Sequence, residues 1–233
     1  MRTFLLIVVT LAGCGGGNKV SSDAAVDTPI DMAPLALDCP TYCTEIQQHC
    51  TDANLQYPPM DPSGTTDPCT RACASFDITT GKTTDTTGNT LGCRINHAAA
   101  AATMPALECP RAGPAGDQIS APAPGFCSGG DVCKSFCTLD IMACGSLDVP
   151  LPGNPRDASN IPLYQYQNLN GCMAQCRTDF DKHHDYSTTA LGDSLACRLS
   201  AAVTAAISLD KAKVFCAYTG DTPIEHCTGA ASP

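Results

Sequence analysis

Sixteen of the 17 cysteines fall into two sets of eight that repeat one another almost in register. The first set is Cys39, Cys43, Cys50, Cys69, Cys73, Cys93, Cys109 and Cys127. The second is Cys133, Cys137, Cys144, Cys172, Cys176, Cys197, Cys216 and Cys227. The first three pairs are offset by 94 residues, the next two by 103 and the sixth by 104. Other residues keep the same offsets: Tyr42 with Phe136, Thr44 with Thr138, Gly88 with Gly192, Leu91 with Leu195 and Arg94 with Arg198. Such a duplication predicts two copies of one structural unit. A short turn-rich joint, Ser128-Gly129-Gly130-Asp131, separates them.

Cysteine has to do much of the stabilising. Leu, Ile, Val and Phe make up only 41 of 233 residues, and there is no Trp. That is below the roughly one-fifth at which a charged chain begins to look disordered. The sixteen repeated cysteines, an even number, predict disulfides in an oxidising compartment, and no Cys-x-x-Cys of the kind zinc modules use is present. The net charge is −10 with a pI near 4.7. With no Lys/Arg stripe, this balance argues against nucleic acid as a partner.

The spacing predicts an all-α fold. Cys39, Cys43 and Cys50 lie at i, i+4 and i+11, within about 40° of one another on a helix. Asp67-Pro68 reads as an N-cap and first helical residue ahead of Cys69 and Cys73. Residues 90–104 form an Ala-rich helix that Pro105 should stop, matched by 195–207 in the second copy. Asp131 should cap a helix over 132–144 with Gly145 at its end, and Asn170-Gly171 should turn the chain into Cys172. In an antiparallel hairpin the first Cys of one helix meets the second of the other. This gives Cys39–Cys73 with Cys43–Cys69, and Cys133–Cys176 with Cys137–Cys172. The third Cys of each copy is then expected to reach the third helix, as Cys50–Cys93 and Cys144–Cys197. Cys109–Cys127 and Cys216–Cys227 would close the module ends.

Three resemblances extend this reading. Arg2 and the apolar run 4–12, followed by Leu11-Ala12-Gly13-Cys14, resemble the signal peptide and lipobox of bacterial lipoproteins. That implies cleavage before Cys14 and acylation of its sulfur. Gly15 after the Cys implies sorting to the outer membrane, facing either the periplasm or the surface. Two Cys-x3-Cys helices resemble the stapled hairpins of twin Cys-x3-Cys domains over 39–73 and 133–176, a likeness of architecture alone. The stretch Thr86-Thr87-Gly88-Asn89-Thr90-Leu91-Gly92-Cys93-Arg94-Ile95-Asn96-His97-Ala98, with Cys109-Pro110-Arg111-Ala112-Gly113-Pro114, resembles a module of Cys-rich bacterial lipoproteins. Members of that family often carry further histidines beside the Cys-Pro pair, where this chain has Glu108 and Arg111. The resemblance implies no activity.

The expected organisation is therefore a signal peptide over 1–13 and a lipidated N-terminus with a flexible tether over 14–38. Helical modules follow over 39–127 and 133–227, with a joint at 128–132 and a tail at 228–233. The tether is rich in Gly, Ala, Asp and Pro and cannot bury enough to order itself.

Few residues suggest chemistry. Gly192-Asp193-Ser194-Leu195 spells the nucleophile block of GDSL hydrolases, and Asp181-Lys182-His183-His184 spells their Asp-x-x-His pair. The chain order is reversed, however, and the first copy reads Gly88-Asn89-Thr90-Leu91 at the matching place. Gly81-Lys82-Thr83 has Phe76 where a P-loop needs its first glycine. His97 shares a helical face with Cys93, yet an oxidised Cys93 cannot ligate metal, and the second copy has Ala201 there. Asp179, Asp181, His183, His184 and Asp185 form the densest acid and imidazole cluster, without the glycine and terminal Glu of an EF-hand. Arg94 and Arg198 recur, which fits a guanidinium bonding carbonyls at a helix end or an anionic ligand. The expected function is a non-catalytic, outer-membrane-anchored binding or structural module, with no catalytic residue, metal or cofactor. Its expected partners are the membrane through Cys14 and an envelope protein or anionic ligand. The rivals are a metal- or haem-binding lipoprotein using His97 or the 179–185 cluster, and a hydrolase built on Ser194.

Overall fold

Helices begin where a short polar side chain takes up free N–H groups of the first turn. Asp38 accepts from the Thr41 amide at 2.8 Å and opens α1 (Cys39–His49). Asp67 accepts from Cys69 and Thr70 at 3.2 and 3.1 Å and opens α2 (Pro68–Ser75). Thr90 does the same for Cys93 at α3 (Leu91–Ala100), and Pro105 lies in the first turn of α4 (Pro105–Ala112). In the second copy Asp131 caps α5 (Val132–Cys144) and Asn168 caps α6 (Leu169–Asp179). Ser194 caps α7 (Leu195–Ala205) and Ser208 caps α8 (Leu209–Phe215). Each such cap stabilises its helix by about 1 kcal/mol. The structure is a computed structural model and describes residues 36–60, 67–76, 78–119, 126–145, 164–223 and 225–229. Among them there is no strand, only an isolated bridge between Thr79 and Thr90. The fold is all-α and stapled by disulfides.

Several boundaries differ from the sequence expectation. The Ala-rich helix ends at Ala100, and Pro105 starts a further helix instead of only stopping one. Its counterpart ends at Ala205, and Ser208 opens α8. Asn170-Gly171 lies inside α6, because Asn168 accepts from the Gly171 amide at 3.0 Å and sets the start earlier.

Eight bridges link the sixteen cysteines, all with Cα–Cα separations of 5.6–5.8 Å. Cys39–Cys73 and Cys43–Cys69 join α1 to α2, and Cys133–Cys176 and Cys137–Cys172 join α5 to α6. The other four correct the expectation. Cys50 pairs with Cys109, not Cys93, and Cys144 pairs with Cys216, not Cys197. Cys93 and Cys197 pair instead with Cys127 and Cys227, so Cys109–Cys127 and Cys216–Cys227 are not formed.

The cause is the extra helix. α4 folds back along α3 and sets Cys109 beside the end of α1, where its sulfur lies 3.9 Å from the His49 carbonyl. Cys93 sits in the first turn of α3, and the chain returns there when the Gly88 amide donates to the Phe126 carbonyl at 2.6 Å. In the second copy Gly192 donates to His226 at 3.2 Å in the same way.

Each of the eight bridges closes within one copy, yet the copies share one apolar cluster. Tyr42, Ile46, Phe76, Leu91 and Ile95 join Phe136, Leu139, Leu195, Leu199 and Val203 in it. α2 packs on α5 and α7, and Tyr186 of the second copy donates to the Gln56 carbonyl of the first at 2.9 Å. Chain-entropy arguments give each bridge, over 26 to 72 residues, about 3.5–4.5 kcal/mol. This offsets a core poor in large aliphatic side chains.

Candidate functional site

The two copies place the same machinery around Arg94 and Arg198. Both arginines are essentially fully buried on α3 and α7. The Arg94 guanidinium lies 4.7 Å from the Phe76 ring centroid, and that of Arg198 4.1 Å from Phe180. Arg94 donates to the carbonyls of Ala112 and Gly113 at the end of α4, and Arg198 donates to Gly220 at 3.1 Å and Ser194 at 3.2 Å. Asn89 stands 3.4 Å from Arg94 where Asp193 stands 2.7 Å from Arg198. These guanidiniums therefore satisfy carbonyls at chain turns, one of the two roles their recurrence suggested.

A second repeated element escaped the sequence reading. Gln56-Tyr57 and Gln165-Tyr166 reach into equivalent places from loops of different length. The Gln56 side-chain oxygen lies where a Cβ on Gly113 would stand, 1.9 Å away, and Gln165 approaches Gly220 to 2.4 Å. A side chain at either glycine would have to displace the glutamine that packs there. Tyr42 donates to Ala112 and meets the Tyr57 hydroxyl, both at 2.7 Å, whereas Phe136 lacks a hydroxyl and Tyr166 itself donates to Thr219 at 2.6 Å. Burial pushes the hydroxyls of Tyr42, Tyr57 and Tyr166 up, so they stay neutral donors. The signal was the recurring Gln-Tyr dipeptide, hidden by the unequal spacing.

The copies differ most around the Cys93–Cys127 bridge. The His97 Nδ1 contacts Glu108 Oε2, and its Nε2 lies 3.0 Å from the Thr86 carbonyl. Arg111 donates to Glu108 at 3.0 Å and stacks on Phe126 at 3.8 Å. His97 and Glu108 are 7% and 5% exposed. The second copy has Ala201, Phe215, Tyr218 and His226 at the corresponding places. Phe215 and Tyr218 meet edge to face at 5.5 Å, and Tyr218 stacks with His226 at 5.8 Å. A polar network in one copy is thus a ring cluster in the other.

The 179–185 cluster is only partly gathered. Asp181 accepts from His183 Nδ1 at 2.6 Å and lies 3.5 Å from His184 Nε2, and the His183 amide hydrogen bond is the main cause of its lowered pKa. Lys182 turns the other way and donates to the Cys176 carbonyl at 2.5 Å, closing α6. A cavity of about 470 Å³ holds His183, His184, Asp185 and Ser194 among its lining residues. The Ser194 hydroxyl, however, accepts from the Cys197 amide at 3.2 Å, and the residue is 1% exposed. Gly81-Lys82-Thr83 forms a turn in which the Lys82 amide donates to Asp85 at 2.9 Å. Between the copies, a groove of 360 Å³ runs past Phe76, Ile141, Met142 and Leu169. Cys14 and most of the tether lie outside the described residues.

Over residues 39–135 the chain matches the model of the BfoA family C-terminal domain. The match spans the first eight-cysteine copy and the opening of the second. It supports a resemblance to a Cys-rich family. No curated protein and no solved structure matches the chain.

Proposed function

We propose that this protein is a lipid-anchored, non-catalytic module of the bacterial outer membrane, serving as a binding or structural unit. The supporting observation is how the reactive side chains are used. Ser194 caps a helix, Arg94 and Arg198 hold carbonyls, His97 sits between Glu108 and Thr86, and sixteen cysteines are bridged. A scaffold whose reactive groups are committed to its own fold offers a partner its surface rather than its chemistry. The lipobox Leu11-Ala12-Gly13-Cys14 supplies the anchor, since several acyl chains bind far more firmly than one.

The test is detergent-phase partitioning of the full chain made in a bacterial host. The wild type should enter the detergent phase. Cys14→Ser should appear as an uncleaved precursor or in the aqueous phase. Unchanged partitioning and processing of Cys14→Ser would refute the anchor.

A further inference from the structure

We infer that the Cys93–Cys127 bridge conceals a site for a thiophilic divalent ion such as zinc, available when a thiol reductant opens the bridge. One ring nitrogen of His97 and the two sulfurs lie within 4.8 Å of one another, and all three residues are buried. Cys93 and His97 share a face of α3 at i, i+4, and the bridge holds Cys127 against that face. Zinc takes thiolate at about 2.3 Å and imidazole at about 2.0 Å, which sets tetrahedral donors roughly 3.5–4 Å apart. Once the covalent bond between them is broken, the sulfurs can move apart to that spacing, and the imidazole has only a short distance to travel. Glu108, on Nδ1, supplies the carboxylate that commonly orients a ligating histidine, and Arg111 fixes that carboxylate in turn; Nε2 is then the nitrogen that exchanges the Thr86 carbonyl for the ion.

The second copy is the reason to assign a role to this cluster. It closes the equivalent Cys197–Cys227 bridge with Ala201 in place of His97 and the rings of Phe215 and Tyr218 in place of Glu108 and Arg111. The stapled fold therefore does not need a buried imidazole–carboxylate pair, which costs desolvation energy wherever it occurs. The first copy keeps that pair beside two sulfurs. Another grouping, Cys43, Asp67 and Cys69, has no such latitude. Its Asp67 oxygens already accept from Cys69, Thr70 and Gln47 to cap α2.

The chemistry balances. Two equivalents of a thiol reductant such as glutathione give up two electrons and two protons and become one disulfide, leaving Cys93 and Cys127 as thiols. Zinc then displaces both thiol protons, and the two thiolates neutralise its charge.

The experiment is oxidative refolding of the fully reduced chain in a glutathione buffer, with and without zinc, followed by alkylation and peptide mapping. With zinc, Cys93 and Cys127 should stay alkylatable while Cys197 and Cys227 pair as they do without it. The second copy is thus a control inside the same molecule, independent of whether any variant folds. The zinc concentration needed for protection should rise at least tenfold in His97→Ala and 10–100-fold in Glu108→Gln. Cobalt in place of zinc should give the thiolate-to-metal absorption of a tetrahedral site. Absence of protection, equal protection of Cys197 and Cys227, or protection unchanged in a folded His97→Ala would overturn the inference.

Discussion

Replacing Asp140 with Ile should remove a pH dependence of stability that the first copy does not share. Asp140 is fully buried on α5 at the position that Ile46 occupies on α1. Neither carboxylate oxygen has a hydrogen-bond partner. The Thr219 hydroxyl exerts a small opposing pull on the pKa but donates to the Cys216 carbonyl at 2.9 Å. Burial lifts the carboxyl from its usual range to about 7. Tyr166, which feels the Asp140 charge, has its own pKa raised and remains neutral. Because the folded-state pKa lies above the unfolded value of about 3.9, the folded protein binds the proton more tightly. Stability is then complete below about pH 4, falls as pH rises to 7, and stays low beyond. At about 1.4 kcal/mol per pH unit over roughly three units, the full loss is about 4 kcal/mol. Guanidinium unfolding at pH 5, 6, 7 and 8, with bridges intact, reads it. The gap between Asp140→Ile and wild type should widen by about 1.4 kcal/mol per unit from pH 5 to 7 and level off by pH 8. Asp140→Asn should show the same change in slope at lower absolute stability. Parallel curves for wild type and both variants would refute the reasoning.

Arg94→Met should destabilise the protein by about 3 kcal/mol, since it strips the Ala112 and Gly113 carbonyls of a charged donor, and unfolding curves should show it. Replacing Cys50 and Cys109 together by Ser opens a loop of 59 residues and should cost about 4 kcal/mol by the same assay. Ser194→Ala should cost about 1 kcal/mol through its lost cap, with no change in ester hydrolysis by the purified protein.

The parts that could be read from sequence are those where one helix carries its own geometry. Two Cys at i, i+4 face a partner pair in only one antiparallel order, so the α1–α2 and α5–α6 bridges follow from spacing. The partners of Cys50 and Cys93 depend on where α3 turns back. That was not legible, because Pro105 can end one helix or open the next, and here it opens α4. Arg94 and Arg198 stood out by recurring, but their carbonyl acceptors become visible only once α4 and the 219–220 turn are in place. The sequence pairs His97 with Cys93 on one helical face and sets Glu108 beside Cys109. Their contact needs the α3–α4 hairpin that the continuous Ala-rich reading concealed. Asp140 could have been found, since the 94-residue offset lays it on Ile46 and flags a carboxyl on a core face.

Each copy staples itself through the same four-bridge pattern, and a non-reducing peptide map tests this most directly. The map should recover Cys50–Cys109 and Cys93–Cys127 from the first copy, and Cys144–Cys216 and Cys197–Cys227 from the second, beside the four hairpin bridges. A bridge joining a cysteine of 39–127 to one of 133–227, or different pairings in the two copies, would contradict it.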